Sequence, residues 1–280
     1  MISIRPSAAV EPSPHLTEFP RPEGQTNSEW FSRALPAGEA AGAIVLLGGV
    51  SLTDFRLRVA QSHARNDLLP SYWSHAALIR QASGERNWEL HEVSLEPPGG
   101  FGAVPANNGV QQANFSAYDE PSRFPNIACL QVRVRPDALR QGLALAQALE
   151  AAVNTFRRQR SVVDLGSMLV EWLGFVWGVG EKGNPLFKSM GVPSAVFIES
   201  VFAMTGVELT PGLAGQSSCP EAIWQAAKWW HEFYESEATL TESPLTGRYF
   251  IGQPAAAVVE PPPPVAPLPQ RRQGTRSGRR

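Results

Sequence analysis

The apolar residues change their spacing part-way along this chain, and that change limits the folds open to it. Up to about residue 134 they fall in short runs or alternate with polar residues. From Asp137 onward they recur at intervals of three and four. The first pattern is that of strands and the second that of helices. Ala43-Ile44-Val45-Leu46-Leu47 is a continuous apolar run ended by Gly48-Gly49, which predicts a buried strand. Leu52 to His63 is expected to be helical. Tyr72-Trp73-Ser74-His75-Ala76-Ala77-Leu78-Ile79 predicts a second strand. Trp88 to Leu95 largely alternates, as a half-buried strand does, and Gly84 between the two makes a hairpin. Ile127 to Val134 predicts another strand, stopped by Pro136.

In the second half, Leu139, Leu143, Ala146, Leu149, Val153 and Phe156 form one helical face. Leu165 to Val179 is apolar on most sides, which predicts a deeply buried helix or two short segments around Gly174. A helix is expected from Ser194 to a terminal Gly206. Another is expected from Ser218-Cys219-Pro220-Glu221, where Ser218 and Glu221 have capping-box spacing. Arg248 to Ile251 reads as a closing strand. Strands followed by helices indicate an α+β domain.

Residues 1–36 are rich in Pro, Glu, Ser and Ala without periodicity and read as a flexible N-terminal arm. Residues 253–280 combine the proline run Pro261–Pro264 with five arginines among the last ten positions. They read as a disordered tail. The folded domain is therefore expected over 37–252. A net charge of −2 gives no general drive toward nucleic acid, although the arginine-rich tail suits an acidic partner. The N-terminus has no apolar leader, and no apolar stretch is long enough to span a bilayer. With only Cys129 and Cys219 and no CxxC pair, a cytoplasmic setting fits, and export by another route stays open.

His75 is the first candidate for chemistry. It opens a short aliphatic run, and an imidazole at the start of a buried strand is held rigidly enough to act as a general base. The plain alternative is a satisfied core histidine. Cys129, inside an apolar strand, reads as a small buried hydrophobe.

The chain resembles the circularly permuted NlpC/P60 group of papain-like proteins, which includes YiiX-like and lecithin:retinol acyltransferase-like members. Residues 40–235 carry the resemblance. Gly42–Leu46 (GAIVL), Ser74–Ile79 (SHAALI) and His91–Val93 (HEV) appear in family order. They are followed by Ser194–Phe202 (SAVFIESVF) and Gly206–Gly212 (GVELTPG). The resemblance implies a permuted papain-like fold, an antiparallel sheet packed against helices. It further implies hydrolysis or acyl transfer on an amide, ester or thioester. A peptidoglycan peptide or a lipid acyl group would be the substrate. In that group a cysteine at a helix N-terminus attacks, a strand histidine is its base, and a polar residue on the next strand orients the histidine.

By position, His75 is the base and Glu92 the orienting group, with His91 as the neighbouring alternative. Strand alternation lets only one of those two face His75. The family's cysteine position holds Ser194 here, a departure that leaves three readings open. Ser194 is a serine nucleophile, natural or engineered. Or Ser194 is only an N-cap, and the domain is a silent binding module. Or Cys219, at the start of the following helix, is the nucleophile. The segment from about 97 to 125 is turn-rich and suits a cover over the cleft. His75, His91, Glu92 and Cys219 lack a recognised metal-ligand spacing, and no GxxxxGK[ST] or strand-linked GxGxxG occurs. No metal or cofactor is therefore expected.

Overall fold

A computed structural model describes residues 15–35, 42–82, 88–96, 107–132, 144–160, 163–180, 182–234 and 245–253. Seven strands form one mixed sheet. In chain order they are β1 (Leu16–Glu18), β2 (Ile44–Gly48), β3 (His75–Ala82), β4 (Trp88–Glu92), β5 (Gln111–Asn114), β6 (Asn126–Val132) and β7 (Leu245–Ile251). Their spatial order is β1-β7-β6-β2-β3-β4-β5. The pairings are antiparallel except β1 with β7, which is parallel, so the sheet is not the all-antiparallel one expected. The helices are α1 (Asn27–Ala34), α2 (Leu52–Ala60), α3 (Leu145–Arg158), α4 (Leu165–Val176), α5 (Pro193–Thr205) and α6 (Pro220–Tyr234). The class is α+β.

The central strand β2 shows why its sequence is apolar at every position. Ile44 and Leu46 join a core with Ala76, Leu78, Ala128 and Leu130 under the helices of the second half. Val45 and Leu47 join a second core on the other face, with Ala77, Ile79, Leu90, Ile127 and Cys129. A strand covered on both sides has no position for a solvated residue. The larger core is filled by Phe156 of α3, Trp172 of α4, Phe197 and Ile198 of α5 and Trp224 of α6, all almost fully buried.

The second core is closed by a segment that the sequence reading places outside the folded domain. Within 1–36, residues 16–34 supply β1 and α1, and Trp30 and Phe31 are fully buried against Trp88 and Phe115. Thr26 and Glu29 form a capping box that starts α1. The Asn27 amide donates to the backbone carbonyls of Tyr118 (2.8 Å) and Phe124 (3.0 Å), which locks α1 onto the turn that follows β5. The Pro-rich composition concealed two aromatic anchors, each of which stabilises the fold by about 1.5–3 kcal/mol when removed from water. Residues 1–14 and the expected tail from 254 onward lie outside the described residues.

Two helical expectations also change. α4 runs through Gly174 without a break, and it is buried on one side only, since Val170 is 64% exposed. At α6 the Ser218 and Glu221 side chains turn elsewhere. Ser218 Oγ donates to Glu199, and Ser71 Oγ donates to Glu221. The Glu221 amide is satisfied by Gln61 Oε1 at 2.9 Å instead. A glutamine from α2's C-terminal turn thus replaces a local cap.

Candidate active site

β3 begins at His75, whose Cα partner on β2 is Leu47. Alternation puts the side chains of 75, 77 and 79 on the face of the second core. Glu92 is the partner of Ala77 and His91 that of Leu78. Glu92 therefore shares the face of His75, and His91 points to the helices. His75 Nε2 lies 3.0 Å from Glu92 Oε2. His91 Nε2 instead meets Glu150 of α3 at 3.2 Å, and burial holds its ring below the usual histidine range.

A third residue completes the array. The Tyr118 hydroxyl donates to the same Glu92 oxygen at 2.6 Å and lies 3.4 Å from His75 Nε2. The two rings are stacked, 5.5 Å between centroids and 22° apart in plane. Burial, reinforced by the neighbouring Glu92, holds the Tyr118 phenol well above its ordinary value, so it stays a neutral donor. Tyr118 sits in the single-turn helix Phe115–Tyr118 within the turn-rich segment. Sequence reasoning identified the segment but not the residue. The usable signal was a lone tyrosine in a loop, whose hydroxyl needs a partner once the ring is buried.

The opposite wall comes from the first turn of α2. Ser51 caps that helix, and Asp54 accepts from both the Ser51 amide (3.3 Å) and its hydroxyl (2.7 Å). Ser74, immediately before the histidine, donates to the other Asp54 oxygen at 2.7 Å. Gly48 lets the chain ahead of β3 pass this close: a Cβ there would collide with the Tyr72 carbonyl oxygen. Between the walls lies an open cleft of about 260 Å³. His75, Ser74, Ser94, Asp54, Tyr118 and Arg123 contribute its polar surface, and Leu57, Leu95 and Phe124 its apolar surface. The volume suits a small head group rather than a whole extended ligand.

The nucleophile candidates are placed otherwise. Ser194 is not an N-cap; Val192 holds that position and Pro193 opens α5. The Ser194 hydroxyl is buried in the first turn and has no hydrogen-bond partner among the described residues. Leaving a buried hydroxyl unpaired costs about 1–3 kcal/mol. The neighbouring α5 residues Ala195 to Ile198 pack in the core with Ala76 and Leu78, the alternate positions to His75. Cys219 precedes α6 with its thiol buried, and burial pushes it up to about 12. That opposes the thiolate a nucleophile needs. Neither Ser194 nor Cys219 lines the cleft. Cys129 is buried in β6, and burial raises its thiol strongly. His75 and Glu92 thus come together, while Ser194, Cys219 and His91 do not hydrogen-bond to them.

A carboxylate offers acceptors only, so the pairing with Glu92 places the imidazole proton on Nε2. In the neutral imidazole the lone pair is then on Nδ1. An imidazole oriented in this way can take a proton from a group in the cleft and return it. Among the described residues there is no cluster of metal-ligating side chains.

No family model, curated protein or solved structure matches the chain.

Proposed function

We propose that this chain is a papain-like hydrolase or acyltransferase acting on an amide, ester or thioester, with His75 as its proton-transfer group. One observation carries the reading: an imidazole paired through Nε2 with a fully buried carboxylate at the wall of an open cleft. Glu92 fixes the tautomer and Tyr118 holds Glu92 in place. Ser194 lies outside the cleft, with α5 packed on the face of β3 opposite His75, so the attacking group in this reading is a water or an acceptor hydroxyl in the cleft. Its oxygen attacks the substrate carbonyl carbon while its proton passes to His75 Nδ1. That proton then goes to the leaving group as the bond to the acyl carbon breaks.

A second reading rests on a separate observation. Ser194 makes no hydrogen bond to His75 and does not line the cleft, which favours a catalytically silent binding module. Turnover of model esters and thioesters by the wild type and by His75→Ala separates the two, and a fluorophosphonate label on Ser194, located by mass spectrometry, would show that this serine reaches the cleft after all. Turnover of model esters or thioesters should fall at least a hundredfold in the same variant, on the scale of a lost general base. If neither label nor turnover is detected while the far-ultraviolet circular dichroism of both proteins is native, the enzyme reading fails.

A further inference from the structure

The buried carboxylate beside His75 is held through one oxygen. The Tyr118 hydroxyl and His75 Nε2 both meet Glu92 Oε2. Glu92 Oε1 is buried as well and has no hydrogen-bond partner among the described residues. The last torsion of a glutamate side chain is soft, so a carboxylate fastened at one oxygen can turn and let go of the imidazole. A buried charged group left half satisfied is also costlier than a neutral one. Oε1 therefore calls for a donor.

The strand pairing supplies one. The Cα partners of Glu92 are Ala77 on β3 and Gln111 on β5. Ala77 has no polar side-chain atom. Gln111 Nε2 is a buried donor, and it too has no hydrogen-bond partner among the described residues. Directly opposed residues of an antiparallel pair have Cβ atoms about 4.5–5.5 Å apart, within reach of a glutamine and a glutamate. The two side chains share a face. Along β5, positions 111 and 113 are half-buried while 112 and 114 are exposed, and Ala113 packs on the second core. The chain leading into Gln111 is fixed by the helices. Val110 is buried in the larger core, and Asn108 donates to the Val163 carbonyl (3.0 Å) and accepts from the Leu165 amide (3.2 Å). A buried donor and a buried acceptor, both unpaired, thus stand opposite each other in one strand pairing.

We propose that Gln111 is a positioning residue for His75, its amide donating to Glu92 Oε1 directly or through one bridging water. The end of a glutamine side chain turns at little cost, so the amide can reach Oε1 without moving the strand. Glu92 is then held at both oxygens, by Tyr118 from a turn and by Gln111 from the edge strand. It cannot rotate away from the imidazole. The tautomer with its proton on Nε2 is kept, and Nδ1 keeps its lone pair for a group in the cleft. Gln111 does not line the cleft, so it acts through Glu92. The inference rests on His75 as the proton-transfer group, but its first test needs no turnover.

Two variants of the full chain test it, each checked for native circular dichroism. Gln111→Met keeps the length of the side chain and removes the donor. Gln111→Asn keeps the donor on a shorter stem. Nitrogen-15 spectra of the imidazoles, with the His75 signals assigned by comparison with His75→Ala, report which ring nitrogen carries the proton. The wild type is expected to show it on Nε2. Gln111→Met should shift the signals toward a mixture of the two tautomers, and Gln111→Asn should shift them less. On model esters kcat should fall by about tenfold in Gln111→Met with KM nearly unchanged, and by less in Gln111→Asn. A role in packing alone would give the opposite order, since methionine fills the space of glutamine better than asparagine does. That opposite order, or His75 spectra unchanged in both variants, overturns the proposal even if the wild type turns over substrate. Spectra altered as expected in a protein whose wild type shows no turnover would uphold the hold of Gln111 on Glu92 and count against the enzyme reading alone.

Discussion

The Tyr118 hydroxyl donates to the Glu92 oxygen that also meets the His75 imidazole, at 2.6 and 3.0 Å. One buried carboxylate oxygen therefore fixes two rings, one from a strand and one from a turn. Tyr118→Phe keeps the ring stacking and removes one donor. It is expected to lower stability by about 1–3 kcal/mol, the scale of a hydrogen bond to a charged group. Urea unfolding measures this. If His75 transfers protons, the same variant should lower turnover with KM nearly unchanged, and His75→Ala should be more severe. A variant as stable and as active as the wild type would remove Tyr118 from the array.

Trp30 tests whether residues 15–35 belong to the fold. It is fully buried, and its indole N–H donates to the Phe19 carbonyl at 2.8 Å. Trp30→Ala is expected to cost about 3–5 kcal/mol. A docked but dispensable arm would tolerate the change, leaving the urea midpoint unmoved.

Glu199 gives the fold a pH dependence of definite sign. Its carboxyl is buried on α5 and accepts from Thr210 Oγ1 (2.6 Å) and Ser218 Oγ (3.2 Å). Burial outweighs these bonds and pushes it from an ordinary 4.5 up to about 7. A folded value above the unfolded one means the native state binds the extra proton. The associated stability is fully present below about 4.5 and is lost as pH rises through about 7, on the order of 3 kcal/mol in all. Glu221 is raised by burial as well and adds a slope of the same sign. Unfolding free energies at pH 5 and pH 8 should therefore fall further apart in the wild type than in Glu199→Gln. Equal slopes in the two proteins would show that Glu199 is not titrating in this window.

Both thiols should be inert in the native protein. Cys129 and Cys219 are buried and raised by that burial, Cys219 to about 12. Iodoacetamide at pH 8 is expected to modify neither within minutes and both once urea is added. Rapid native alkylation of Cys219, read by mass spectrometry, would restore it as a nucleophile candidate.

Strand and helix identity could be read from the sequence wherever periodicity reports burial. The run at Ile44 to Leu47 is apolar throughout because both faces are covered, and α5 ends at Gly206 because its backbone is left-handed there. Strand alternation alone required that only one of His91 and Glu92 meet His75. Which one does so depends on how β4 pairs with β3, a long-range register that local spacing does not encode. The parallel pairing of β1 with β7 joins residues 16 and 247 and has no local signature. The turn that brings Tyr118 to Glu92 is itself fastened by Asn27 of α1, 91 positions away in the chain. The position of Ser194 relative to His75 was likewise beyond pattern reading. Periodicity states which residues are buried; the packing of α5 against the alternate face of β3 decides which buried groups touch.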